Sequence, residues 1–152
     1  MYIYIAGPLF NDSERRLNYY VDKVVRQHGF KTYLPQRDGG EAAKEMNKVN
    51  SDNSLTQIDK KDRLFALRQD IFIEDIKAID NSNVMIAVLD GRVPDEGTCV
   101  EIGYAYAKAI PIIGFKTDER SFIQGLDNIM IEHTCSTIVH SIEELRQHLT
   151  LL

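Results

Sequence analysis

The chain has 152 residues, of which 43% are hydrophobic and 27% charged, and its formal net charge is -5 at pH 7. This length and this balance predict a single globular domain with a full hydrophobic core. The acidic charge argues against broad binding to nucleic acids or to anionic membranes, which requires a basic face, but it leaves room for a small anionic ligand.

The rare residues point to no bound metal or cofactor. Two cysteines are too few for a disulfide framework or a cysteine-based metal site, and the four histidines show no ligand spacing. The sequence also lacks a secretory leader and any apolar run long enough to span a membrane. We therefore predict no metal site and no cofactor, and we expect a cytoplasmic protein.

The predicted elements alternate between strands and helices along the chain. Strands are expected at 2–6, 31–34, 84–89, 111–115 and 137–139. Helices are expected between a cap at residues 11–13 and Gly29, at about 61–79 with Asp59 as the candidate cap, at about 98–109, and after a capping box that begins at Ser141. This order predicts an α/β, doubly wound, mainly parallel five-stranded sheet with helices on both faces, flavodoxin-like or Rossmann-like.

One long segment does not fit this alternation. Residues 36–61 are polar and contain two adjacent glycines, and they show little periodicity beyond a weak helical patch at 42–46. We predict a long loop here, either a lid over a binding site or a surface insertion.

Glu101 is the most unusual residue of the sequence, because no other charged residue lies between Glu96 and Lys108. It follows a buried strand whose carboxyl end is where ligands bind in such folds. An isolated carboxylate in an apolar helix is costly unless it is paired or used. A position near the helix N-terminus would favour the ionised form that a nucleophile needs. Glu101 is therefore a candidate nucleophile, with a cap or an arginine pair as the structural alternative.

Asp75 is the second unusual carboxylate. It lies in the middle of the apolar face of the predicted 61–79 helix, while Asp70 and Glu74 fall on the opposite side. Taken alone, this position of Asp75 is equally well explained by a role in acid–base catalysis and by an ion pair with Arg68. Together with Glu101 it forms a candidate two-carboxylate site of the kind that carries out displacement at an anomeric carbon.

Two further segments are candidates for substrate contact. Tyr4 could orient Glu101 through its hydroxyl or serve only as a strand aromatic. The apolar residues Pro8, Leu9 and Phe10 could stack on a flat ring or cover a strand end. Asp95, in the sequence Pro-Asp-Glu-Gly that ends at Gly97, could bind sugar hydroxyls or simply form the turn.

Four motifs together resemble the nucleoside 2-deoxyribosyltransferases and occur in the order of that family. They are Tyr4-Ile5-Ala6-Gly7-Pro8-Leu9-Phe10, Asp75-Ile76 ahead of a strand, the run from Asp95 to Ala105, and Asn128-Ile129-Met130-Ile131-Glu132. The Gly-Thr-x-x-Glu element in the third motif is weak alone, but the four motifs cover almost the whole chain.

The resemblance implies a role for each matching residue. Glu101 would attack C1′ of a 2′-deoxynucleoside and release the base, Asp75 would exchange a proton with the departing and entering bases, and Tyr4 would hold the nucleophile. Asp95 would bind the deoxyribose hydroxyls. Asn128 would be lent by a neighbouring subunit near the 5′ end of the sugar, so the resemblance implies a homo-oligomer of at least two subunits.

The substrates implied by the resemblance are a nucleoside and a nucleobase, and we place Gly7, Phe10 and Gly97 among the substrate-binding residues. Two alternatives remain: an N-glycosidase that hydrolyses 2′-deoxynucleosides or their 5′-monophosphates, and a non-catalytic nucleotide-binding module. A site for a 5′-phosphate would offer hydroxyls and cations near the 5′ end of the sugar. In this sequence Asp95 and Asn128 are at the positions that match such a site, which favours a free nucleoside. The presence of Tyr4, Asp75, Asp95 and Glu101 together argues against the non-catalytic module.

Overall fold

A computed structural model of the chain describes residues 1–120 and 127–152. The strands in these ranges are β1 Tyr2–Ala6, β2 Lys31–Tyr33, β3 Val84–Val88, β4 Ile112–Phe115 and β5 Thr137–Val139. The helices are α1 Asp12–Gln27, α2 Pro35–Asp38, α3 Gly40–Ser51, α4 Gln57–Asp80, α5 Glu96–Ala107, α6 Ile129–Thr134 and α7 Ile142–Leu149. None of these helices is both long enough and apolar enough to cross a membrane.

The five strands form one sheet in the order β2-β1-β3-β4-β5, and every neighbouring pair is parallel. The chain moves outward from β1 to β2 on one side and then to β3, β4 and β5 on the other. The strand order therefore reverses between β1 and β3, and the crevice at that point is where open α/β sheets bind ligands. The predicted doubly wound, flavodoxin-like fold is confirmed, with an entirely parallel sheet.

Alternate residues of each strand face two different cores, as the period of a strand requires. Ile3 and Ile5 pack into the core that α1 and α7 cover. Tyr4 and Ala6 face the opposite core, which α4, α5 and α6 cover. Helices therefore cover both faces of the sheet, and Tyr4 belongs to the face on which α4 and α5 lie.

The first helix begins and ends where its sequence predicts. The Asn11 side chain accepts the Glu14 N–H, and the Glu14 carboxylate accepts the Asn11 N–H in return, which closes a capping box. Gly29 adopts φ +86, a backbone conformation that favours glycine and lets the chain turn into β2.

The long loop predicted at 36–61 is wrong, because this segment forms α2, α3 and the first turn of α4. Helix α3 is a polar surface helix that packs against α4 and buries Val49. Ion pairs one turn apart on its exposed surface, such as Glu41 with Lys44, add a small stabilisation to this packing. Asp59 is not the cap of α4: Thr56 is, and Asp59 closes the capping box three residues later.

Candidate active site

Tyr4 and Glu101 are in direct contact at the centre of the α4–α5 face. The Tyr4 hydroxyl donates a hydrogen bond of 2.5 Å to Oε1 of Glu101. Tyr4 is fully buried. Burial, together with the nearby carboxylates, raises the pKa of Tyr4 well above its usual range, so the hydroxyl remains a proton donor. The contact fixes one oxygen of Glu101 and leaves the other available.

Asp75 lies on α4, one of the helices that cover this face of the sheet. Its Oδ1 accepts a hydrogen bond of 3.2 Å from the hydroxyl of Tyr33, at the end of β2. Among the described residues, no lysine or arginine lies within salt-bridge distance of Asp75 or Glu101. The ion pair with Arg68 that the sequence left open is therefore not formed, and both carboxyl groups remain without a cationic partner.

A cavity of about 410 Å³ opens over the two carboxyl groups between α3, α4 and α5. Its size falls in the range of small-molecule sites. Apart from Asp75, Glu101 and the rim residue Arg68, its walls are apolar: Met46, Ile71, Phe72, Ile76, Ile79, Gly97 and Val100. An apolar chamber with two acidic groups on one side suits a ligand that has a flat ring and a polar part.

Both carboxyl groups hold protons more tightly than free carboxyl groups do. Burial raises the pKa of Glu101 to about 8, and the charges of Asp75 and Asp95 add to this, while the hydrogen bond from Tyr4 opposes it. Burial likewise raises the pKa of Asp75 to about 6, against the hydrogen bond from Tyr33. Between pH 6 and pH 8 the two groups therefore hold one proton between them.

The predicted stabilisation of ionised Glu101 by the helix N-terminus does not prevail. Helix α5 begins at Glu96, which puts Glu101 in the second turn. The field of a helix end falls off within the first turn, so burial outweighs it and the pKa of Glu101 rises. Of the two groups, Glu101 holds the shared proton more tightly, and a positive charge developing in the cavity would favour its ionised form.

Asp95 performs the turn chemistry that the sequence left as an alternative. It is the N-cap of α5, and its Oδ2 accepts both the backbone N–H and the hydroxyl of Thr98. Its charge nevertheless acts on Glu101, because it contributes to the raised pKa. Gly97 lines the cavity, and a Cβ there would lie 3.1 Å from Oδ2 of Asp95, so this turn has little spare room.

Gly7 and Phe10 are not among the residues that line this cavity. Phe10 is 76% exposed. Gly7 is required for packing, because a Cβ would lie 2.5 Å from Oδ1 of the buried Asn18 on α1. The Asn18 amide donates in turn to the carbonyl of Pro8, and this holds the end of β1 against α1.

Asn128 does not line the cavity that Glu101 lines. It is the N-cap of α6, a helix of six residues that is too short for sequence periodicity to reveal, and its side chain accepts the Met130 N–H. It lines a different cavity, of about 380 Å³, together with residues of α5 and α6 that include Ile102 and Met130. The structure therefore brings together Tyr4, Asp75 and Glu101, but not Asn128.

Two site residues escape sequence reasoning. Met46 lies on α3, inside the segment misread as a loop, and it forms part of the cavity wall. Tyr33 is the partner of Asp75, and the only signal for it is the register of β1 and β2, which pairs Tyr4 with Tyr33. In the described ranges, no group of three or more His, Cys, Asp or Glu side chains is arranged to hold a metal ion.

Comparisons with known proteins agree with the fold and place the chain in a family. By sequence, no curated protein matches it. A 2-deoxyribosyltransferase from Bacillus psychrosaccharolyticus superposes with a TM-score of 0.71 at 19% identity, covering 96% of this chain and 90% of the other. A conserved protein from Enterococcus faecalis gives 0.71 at 27% identity, with 99% and 98% covered. A 2-desoxiribosyltransferase from Leishmania mexicana gives 0.63 at 23%, with 98% and 97% covered.

These likenesses describe the fold, and the family follows from the sequence. The model of the nucleoside 2-deoxyribosyltransferase family matches residues 3–148, which is nearly the whole chain. This range includes every residue of the cavity beside Asp75 and Glu101. The chain belongs to the nucleoside 2-deoxyribosyltransferase family.

Proposed function

We propose that this protein transfers 2-deoxyribose between nucleobases through a covalent deoxyribosyl intermediate on Glu101. The observation that carries the proposal is the pair of carboxyl groups, Asp75 and Glu101, which open to one cavity with a tyrosine hydroxyl on each of them. Membership of the family supports a nucleoside and a nucleobase as the substrates.

In the first half of the reaction, an ionised Glu101 oxygen attacks C1′ of the 2′-deoxynucleoside. The glycosidic C–N bond breaks, and its electron pair passes to the base, which takes a proton from Asp75. The two carboxyl groups together hold the one proton that this step requires. The step proceeds from the arrangement in which this proton is on Asp75, and the positive charge that develops at the sugar ring stabilises the ionised Glu101.

In the second half, a nitrogen of the incoming base attacks C1′ and displaces Glu101, while Asp75 accepts the proton that the base loses. Two successive inversions give overall retention of configuration. Asp95 supports both steps in this scheme, because its half-buried carboxylate can accept a sugar hydroxyl and adds negative charge near the oxocarbenium-like centre.

A hydrolase would use the same first half and then deliver the intermediate to water. Transfer requires that a base occupy the site and keep water from C1′. The apolar walls that Met46, Ile71 and Phe72 provide favour this, since a flat base covers them and a water molecule does not.

The deciding experiment is incubation of the protein with deoxyinosine, with and without adenine, followed by separation of the products. The proposal predicts new deoxyadenosine when adenine is present. Free deoxyribose and hypoxanthine alone would identify a hydrolase, and an absence of reaction would favour a 5′-monophosphate substrate or a non-catalytic module. Glu101→Gln should abolish the product, whereas Glu96→Gln, on the exposed first turn of the same helix, should not.

We further propose that the active unit is a homo-oligomer in which Asn128 reaches the site of a neighbouring subunit. Asn128 is exposed, and Ile129 and Met130 beside it are 66% and 71% exposed, which supplies apolar surface for such a contact. Mixing inactive Glu101→Ala and Asn128→Ala chains tests it. Activity recovered in the hybrids is expected, and hybrids as inactive as either parent would contradict a shared site.

A further inference from the structure

Tyr33 links the two carboxyl groups of the site. Its hydroxyl donates to Oδ1 of Asp75 at 3.2 Å. Its ring stacks on the ring of Tyr4, with the centroids 5.5 Å apart and the planes inclined by 14°. Because Tyr4 donates to Glu101, two stacked tyrosines present one hydroxyl to each carboxyl group.

The backbone fixes this arrangement. Strands β1 and β2 are paired in the register that sets Tyr4 opposite Tyr33, and both side chains point to the α4–α5 face of the sheet. Stacking in an offset geometry restricts both rings to one orientation. The position of the Tyr33 hydroxyl is therefore determined by the sheet and not by α4.

We propose that Tyr33 is a positioning residue that orients Asp75 toward the leaving base and sets how readily Asp75 gives up its proton. The inference deepens the proposed function, because it assigns a role only if Asp75 is the proton donor. The observation behind it, however, is the Tyr33–Asp75 contact and is independent of any assay.

The hydrogen bond from Tyr33 lowers the pKa of Asp75. A hydroxyl that donates to a carboxylate stabilises the ionised form, so the Tyr33 bond opposes the effect of burial on Asp75. Burial, together with the charge of Asp75, raises the pKa of Tyr33 above its usual range, so the hydroxyl stays protonated and keeps the proton that it donates to Asp75. Asp75 then keeps one oxygen occupied by Tyr33 and the other free for the base.

The charged neighbours of the pair are few among the described residues. Glu74 on α4 raises the pKa of both Asp75 and Tyr33, and Asp38 of α2 adds to the effect on Tyr33. Glu101 on α5 and Arg68 on α4 line the cavity beside Asp75. None of these groups donates a hydrogen bond to Asp75. None of them therefore replaces the Tyr33 hydroxyl when that hydroxyl is removed.

The test compares Tyr33→Phe, which keeps the ring and its stacking, with Tyr4→Phe as the matched variant on the other carboxyl group. For Tyr33→Phe we expect kcat to fall about tenfold with natural bases and less with activated bases, and KM to change little. The acid-side inflection of the kcat/KM profile should move to higher pH. For Tyr4→Phe the alkaline inflection should move to higher pH instead.

A direct titration separates this inference from the proposed function. Carbon NMR of the Asp75 carboxyl group needs no substrate, and the pKa of Asp75 should rise in Tyr33→Phe and stay unchanged in Tyr19→Phe, on the exposed face of α1. An unchanged Asp75 titration in Tyr33→Phe, or equal shifts of both inflections, would overturn the role of Tyr33. Absence of glycosyl transfer in the wild type, with the Asp75 shift still present, would contradict the proposed function alone.

Discussion

Asp95 caps the helix that carries Glu101 by accepting two hydrogen bonds from Thr98, at 2.8 Å from the backbone N–H and 3.1 Å from the hydroxyl. The same carboxylate contributes to the raised pKa of Glu101. One side chain therefore fixes the start of α5 and sets part of the electrostatic field around the proposed nucleophile.

Two substitutions separate these functions of Asp95. Asparagine caps a helix about as well as aspartate, so Asp95→Asn should keep the stability of the protein and still lose activity through the missing charge. Asp95→Ala should lose the activity and about 1 kcal/mol of unfolding free energy. Urea denaturation and kcat/KM measured on both variants check this. Full activity in Asp95→Asn would show that the charge is not used.

The pH dependence of kcat/KM follows from the two raised pKa values. Activity requires an ionised Glu101 and a protonated Asp75, which means one proton on the pair. Below pH 6 the pair gains a second proton, and above pH 8 it loses the last one. We expect activity to rise up to about pH 6, stay level, and fall above about pH 8. A profile that keeps rising beyond pH 9 would contradict the requirement for a protonated Asp75.

The buried Glu101 also makes folding stability depend on pH. Its pKa in the folded protein, about 8, lies above the ordinary value of 4.5, so the folded state binds the proton more tightly than the unfolded chain. The stability this provides is complete below pH 4.5 and is lost as the pH rises through 8.

Glu101→Gln removes this dependence. At pH 8 the variant should be more stable than the wild type by up to about 4 kcal/mol, since each pKa unit corresponds to about 1.4 kcal/mol, and at pH 4.5 the difference should be far smaller. Urea denaturation at the two pH values measures it, and the exposed Glu96→Gln serves as the control. A difference that is equal at both pH values would mean that Glu101 does not titrate as the structure indicates.

Asp75→Asn tests proton transfer to the base. The variant cannot donate the proton, so we expect a loss of about 100- to 10,000-fold with natural purines, which are poor leaving groups. The loss should be milder with bases that leave readily without a proton. Asp70→Asn, on the exposed face of α4, should retain activity. Equal losses across the series of bases would reject the proton role of Asp75.

Much of this fold can be predicted from the sequence, because apolar strands and capped helices are local patterns. The apolar run at residues 84–89 predicts β3, which the structure forms at Val84–Val88, and the alternation within β1 is consistent with Tyr4 facing away from Ile3 and Ile5. Glu101 and Asp75 stand out as acidic residues among apolar neighbours, a signal that survives without any knowledge of the fold.

The remaining features depend on contacts between distant segments. Tyr33 becomes a partner of Asp75 only through the register of two strands and the approach of α4, because the two residues are 42 positions apart in sequence. Helix α3 is not predicted because its sequence is polar and its charges pair on the surface, so its composition resembles that of a loop. The sequence predicts an ionised Glu101, whereas burial raises its pKa in the structure. The depth of this burial depends on the packing of α5 against the sheet, which no local sequence pattern indicates.

The most direct test of the account is a search for sugar bound covalently to Glu101. The protein is incubated with a 2′-deoxynucleoside in the absence of an acceptor base, quenched in acid, digested and examined by mass spectrometry. The account predicts one deoxyribosyl group on the side chain of Glu101, and none on Glu101→Gln. Base release that proceeds normally without any adduct, or with the sugar attached to another residue, would contradict it.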